Sequence, residues 1–190
     1  IQDYNVCKDG TVMLMLDITN GTGSGFQWLP TTGLDNPNIQ TPTLTAAAVN
    51  QQQIEYTVTF KSGECPLEEK TTVKINDLPV ITKLVTTEVA RQIEVDVNGM
   101  TPTFTIDQME TVYDVPAIVS ELPFGWRRIY VTDINDCKTD STIYIEPVEI
   151  KPMPSFSPND EGAKEREKWT VHNLDQYNSY IVEIFDRYGR

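Results

Sequence analysis

Ile54-Glu55-Tyr56-Thr57-Val58-Thr59-Phe60 decides how this chain folds. Apolar Ile54, Tyr56, Val58 and Phe60 alternate with polar Glu55, Thr57 and Thr59. A period of two places one set on a buried face of a β-strand and the other on a wet face. Lys61-Ser-Gly-Glu64 then reads as a turn and Thr71-Thr-Val-Lys-Ile75 as the returning strand of a hairpin. On the N-terminal side, Thr11-Val-Met-Leu-Met-Leu16 is an apolar strand candidate, followed by the Gly-rich turn Asn20-Gly-Thr-Gly-Ser-Gly25. Phe26-Gln-Trp28 leads into Pro30-Thr-Thr-Gly-Leu-Asp-Asn-Pro-Asn38, a loop dense in turn formers. Short strands at this spacing, with no amphipathic helix between them, predict an antiparallel sandwich.

Beyond a short linker, Asn76-Asp-Leu-Pro79, the pattern resumes, with strands expected over 92–97, 103–106, 117–122, 127–132 and 141–145. The two halves repeat each other. Tyr56-Thr-Val-Thr-Phe-Lys-Ser-Gly-Glu-Cys65 followed by Thr71-Thr-Val-Lys-Ile75 parallels Ile129-Tyr-Val-Thr-Asp-Ile-Asn-Asp-Cys137 followed by Ser141-Thr-Ile-Tyr-Ile145. In each, a strand runs into a polar turn, a cysteine sits just past it, and a Ser/Thr-led strand returns. A tandem array of small β modules explains this. The expected division is 1–77, 78–148 and a partial third β domain over 149–190, which ends on the apolar strand candidate 181–185 and so reads as part of a longer protein.

Composition narrows the functions. Of 190 residues, 39% are apolar and 9% aromatic, which suits several modest cores better than one deep one. The net charge of −13 repels nucleic acid and anionic membranes. The longest basic stretch, Lys164 to Lys168, is interrupted by Glu165 and Glu167 and reads as a solvated mixed-charge face. No run of about eighteen apolar residues is present, so no transmembrane helix is expected.

The closing stretch carries a family resemblance. Phe156-Ser-Pro-Asn159, then Trp169, then Ile184-Phe-Asp-Arg-Tyr-Gly189 resembles the first half of the gliding-motility-associated C-terminal domain, the type B sorting domain of the Bacteroidetes type IX secretion system. Gln27-Trp-Leu-Pro-Thr-Thr-Gly-Leu-Asp-Asn-Pro-Asn38, with Tyr56-Thr-Val-Thr and the turn before Cys65, resembles the PKD-like or immunoglobulin-like repeats of bacterial surface proteins. Leu122-Pro-Phe-Gly125 through Asp133-Ile-Asn-Asp-Cys137 is similar to repeats of gliding-motility adhesins. These resemblances imply an all-β chain of tandem antiparallel immunoglobulin-like β-sandwiches, secreted or held at the cell surface, with the type IX machinery as a partner. In the PKD-like repeats, cysteines at the positions of Cys7 and Cys65 pair. Such a bridge would contribute about 4 kcal/mol by loop-closure entropy, the alternative being two buried free thiols. In the second repeat the partner of Cys137 would lie near Val80-Ile-Thr-Lys-Leu-Val-Thr87, where there is none, so Cys137 is expected unpaired.

Catalysis finds little to build on. His172 is the single imidazole, so neither a His-based zinc site nor a triad can be assembled within one module. No catalytic residue and no cofactor are expected. Glu68, Glu69, Asp133 and Asp136 read as solvated edges. Asn159, Asp160 and Glu161 are the one candidate for calcium, in the loop where type B sorting domains carry Asn and Asp, but Lys164 and Arg166 oppose a cation there. Trp126, Arg128 and Tyr130 share one strand face, opposite Ile129 and Val131. They form a candidate face for packing on a neighbouring module or for stacking on a surface glycan. The expectation is a non-enzymatic spacer or adhesive region leading to a sorting domain, with a carbohydrate-binding module as the alternative.

Overall fold

The structure is a computed structural model that describes residues 2–18, 22–87, 90–108, 110–154, 168–185 and 188–189. The N-terminal sandwich is built from β1 (Tyr4–Cys7), β2 (Thr11–Met13), β3 (Gly23–Leu29), β4 (Thr43–Thr45), β5 (Gln53–Ser62) and β6 (Cys65–Asn76). One sheet has the order β1-β6-β5-β3, and β2 pairs with β4 to form the other. The alternation in β5 does what its period requires: Ile54, Tyr56, Val58 and Phe60 all point into the core. They meet Leu14, Leu16, Leu44, Ala46 and Val49 from the β2–β4 side, with Trp28 wholly buried between. The indole Nε1 of Trp28 donates to the Ile39 carbonyl at 2.9 Å, which satisfies its one polar atom and pins the turn-rich loop beneath it. Gly33 in that loop takes φ 78°, and a Cβ there would stand 2.7 Å from Leu44 Cδ1, so only glycine fits without displacing the core.

The second sandwich comprises β7 (Val80–Thr86), β8 (Ile93–Asn98), β9 (Thr103–Ile106), β10 (Tyr113–Asp114), β11 (Ala117–Val119), β12 (Gly125–Thr132) and β13 (Lys138–Ile145). Its sheets are β10-β9-β12-β13 and β11-β8-β7. Ile93, Val95 and Val97 from one sheet pack on Phe104, Ile106, Ile129, Val131 and Ile145 from the other. In both sandwiches the first strand of a late hairpin, β5 of β5–β6 or β12 of β12–β13, pairs with one earlier strand, β3 or β9. That sheet faces one built from the strands before and after the earlier strand. This is the immunoglobulin-like arrangement, present twice in tandem.

The chain after β13 forms a small additional unit. β14 (Lys151–Pro152) pairs with β15 (Val171–His172), and Trp169 Nε1 donates to the Met153 carbonyl at 2.7 Å. The Gln176 amide both accepts from Val148 N and donates to Val148 O. Tyr177 packs on Phe124 of the second sandwich, ring centroids 5.0 Å apart, so this unit borrows apolar surface from its neighbour. The expected strand at 181–185 is not formed. No described strand pairs with it, and Ile181, Ile184 and Phe185 are exposed. Without a partner ladder, apolar and β-branched residues do not make a strand.

Candidate functional site

The cysteines are not paired as the resemblance implied. Cys7 is bonded to Cys137, 130 positions away, with Cα atoms 5.5 Å apart, and Cys65 is free and exposed. The reason lies in where β1 pairs along β6. β1 runs parallel to β6 and sets Cys7 opposite Asn76, the last residue of that strand. Cys65 is the first residue of the same 12-residue strand, roughly 36 Å away at about 3.3 Å per residue. Pairing with the last residues of β6 therefore puts Cys7 at the end of the first sandwich that feeds the linker, next to the loops that open the second.

Cys137 is not an unpaired remnant but wholly buried. It lies in the turn between β12 and β13, which faces the junction. Met100 and Asn98 belong to the same end of the second sandwich, Asn98 standing opposite Val80, where β7 begins, and Ile134 N donating to Met100 O at 3.1 Å. On the other side of the junction Lys8 N donates to Asn76 O at 2.8 Å. The two sandwiches are thus joined twice, by the backbone at 77–79 and by the bond between Cys7 and Cys137. An open cleft of about 780 Å³ lies at this junction, lined by Lys8, Lys74, Asn76, Asp77, Asn98 and Asn135 among others.

Asp133 also departs from expectation. It is 7% exposed rather than a solvated edge, and its Oδ1 accepts from Asn135 N and Cys137 N at 2.9 Å each. Backbone bonds from Asp133 N to Cys137 O and from Asp136 N to Asp133 O close the same turn. Its carboxylate shapes the loop that presents Cys137. Asp136, by contrast, is exposed, as are Glu68 and Glu69.

Trp126, Arg128 and Tyr130 do share a face of β12, and it is the outer face. Trp126 is 68% exposed and meets Tyr144, its partner across the β12–β13 ladder, at 5.4 Å in an edge-on contact. The Arg128 guanidinium lies 5.2 Å from the centre of the Tyr130 ring and its Nε is 2.9 Å from Asp140 Oδ2. The hydrogen bond and negative charge of Asp140 push the Arg128 pKa up, so the guanidinium stays charged. The result is an outer row of one edge-on aromatic pair and one cation–π pair, with Tyr144 and Asp140 contributed by β13. Sequence reasoning missed these two, because they become neighbours only through the register of the hairpin.

Asn159, Asp160 and Glu161 lie outside the described residues. Among the described residues no three His, Cys, Asp or Glu side chains are grouped as a metal would need. No described helix is long and apolar enough to cross a membrane.

No protein-family model matches the chain, and no curated protein matches it. Solved structures do. Extracellular domains 3–5 of Drosophila OTK align over 75% of this chain and 58% of theirs, at 11% identity and a TM-score of 0.47. A C-terminal fragment of intimin, solved with the intimin-binding domain of its translocated receptor, aligns over 79% of this chain and 62% of its own, at 18% identity and a TM-score of 0.43. Titin domains I67–I69 align over 82% of this chain and 68% of theirs, at 13% identity and a TM-score of 0.42. The chain spans less than two thirds of the first of these.

Proposed function

We propose that this chain is a non-enzymatic spacer or adhesive segment of a secreted or surface-displayed bacterial protein, leading into a type B sorting domain addressed to the type IX machinery. The observation that carries the spacer reading is the Cys7–Cys137 bond across the boundary between two separately cored sandwiches. A bond so placed adds little to either core but removes the freedom of one sandwich relative to the other, which is what a stiff spacer needs. Disulfides persist in oxidising compartments, which favours an extracytoplasmic location. The sorting role rests on the resemblance of Phe156-Ser-Pro-Asn159, Trp169 and Ile184-Phe-Asp-Arg-Tyr-Gly189 to that domain family. A reporter carrying the complete C-terminal domain, expressed in a bacterium with a type IX system, should become accessible to external protease. Retention in the periplasm overturns the assignment.

A second reading, glycan binding, is favoured by one observation: the 68% exposure of Trp126 beside Tyr144 and the Arg128–Asp140 pair. An exposed indole flanked by charged hydrogen-bonding groups suits stacking on a pyranose ring with hydroxyls held at its edge. Glycan-array or calorimetric binding that disappears in Trp126→Ala while the fold is retained supports this reading. A blank array for the wild type removes it.

A further inference from the structure

Where the bond lies on the chain determines what happens when the chain is pulled. Cys7 closes β1, near the start of the described chain, and Cys137 immediately precedes β13, the last strand of the second sandwich. β1 runs toward the junction and β13 runs away from it. Tension applied at the two ends therefore passes along β1, across the sulfur–sulfur bond and out along β13. Everything between the two cysteines hangs from that line as a closed loop: β2 to β6, the linker at 77–79 and β7 to β12.

We propose that the Cys7–Cys137 bond is a covalent bypass for tension, which takes the cores of both sandwiches off the load path. The proposal rests on the spacer reading, since it concerns a segment loaded at its ends. With the bond in place, force can strip only β1 from β6 and β13 from β12, and it cannot draw out the loop whatever happens to the cores. Once the bond is opened, the 130 positions that separate the cysteines become extensible. At about 3.3–3.6 Å each, they add on the order of 450 Å of chain. The linker at 77–79 alone would carry the load from one core to the next, and each sandwich would then unfold in turn.

Three features agree with this role. β1 is held side by side with β6 over four residue pairs, so a pull along it loads those backbone bonds in shear. β13 is zipped to β12 over eight pairs. Cys137 is wholly buried, and the carboxylate of Asp133 holds its backbone N–H. Cys7 is half-buried, so an external thiol that opens the bond attacks at the Cys7 sulfur while Cys137 stays screened.

The test is single-molecule extension of the full chain tethered at its two ends, with and without a dithiol. The dithiol transfers two electrons through two exchange steps, leaving Cys7 and Cys137 as thiols and itself as a cyclic disulfide. The total gain in contour length should be about 450 Å greater in the presence of dithiol, and Cys137→Ser should show the longer gain in either condition. Because a variant can misfold, dithiol added to wild-type molecules already held under force provides a second measurement, in which single molecules should lengthen only after the bond opens. Equal gains for the oxidised and reduced wild type overturn the bypass. They leave the sorting reading untouched, which stands or falls on surface delivery of the reporter.

Discussion

Asp133 holds Cys137 in place: its Oδ1 accepts the Cys137 N–H at 2.9 Å, and these two residues are buried although Ile134 and Asp136 between them are exposed. The same oxygen takes the Asn135 N–H, so one carboxylate satisfies two donors on the loop that carries the bridging sulfur. Asp133→Ala leaves both donors without this acceptor, one of them buried, and should lower the stability of the second sandwich by about 2–3 kcal/mol. Asp133→Asn keeps an acceptor oxygen and should lose about half as much. Urea midpoints at unchanged slope measure both. An alanine variant with the wild-type midpoint refutes this account of the turn.

How much of this was legible in the sequence depended on how local the information was. The β5 hairpin was legible because the alternation of Ile54, Tyr56, Val58 and Phe60 and the turn after it specify each other within a few residues. The shared face of Trp126, Arg128 and Tyr130 followed from the same alternation, although Tyr144 and Asp140 did not, since they arrive through the β12–β13 register. The disulfide was not legible. Its partner choice depends on where β1 pairs along the 12-residue β6, which four residues do not specify. Reversing β1 in place would move Cys7 only to a position opposite Val73, still far from Cys65 at the other end of β6, so it is the site of pairing on β6 that carries Cys7 to the junction. Asp133 looked like any acid in a polar turn, and only the folded loop shows its two bonds.

The pairing is directly measurable. Digestion of the unreduced protein with trypsin should release a linked pair of peptides, one ending at Lys8 and the other running from Ile129 to Lys138. Cys65 should be the one thiol alkylated in the native protein, because it is exposed and free. Recovery of a peptide linked through Cys65 rules out the pairing described here.

Two of the three tryptophans should respond oppositely to truncation. Trp28 is fully buried and its Nε1 is bonded to the Ile39 carbonyl. Trp28→Ala should cost about 3–5 kcal/mol through cavity formation and should loosen the loop the indole pins. Trp126 is mostly in water, so Trp126→Ala should change stability by no more than about 0.5 kcal/mol. Acrylamide should quench the fluorescence lost in the second variant more readily than that lost in the first. A large destabilisation by Trp126→Ala would mean that the outer face of β12 is covered, contrary to its exposure.

Alkali should act on the first sandwich through Tyr56. Burial pushes the phenol up to about 12 from its ordinary value near 10; the side chain is fully enclosed and its hydroxyl donates to the Thr32 carbonyl. The folded state therefore holds the proton more tightly than the unfolded state does. The associated stability is fully present below pH 10 and is lost as pH rises from about 10 through about 12, a difference of up to about 3 kcal/mol. Tyr56→Phe removes the ionisation together with the hydrogen bond. It should cost about 1 kcal/mol at neutral pH, yet flatten the fall in stability above pH 10. Denaturant midpoints of the two proteins at several values between pH 8 and 12 provide the comparison. If both decline with the same steepness, the alkaline sensitivity resides in another group and the buried phenol is not its source.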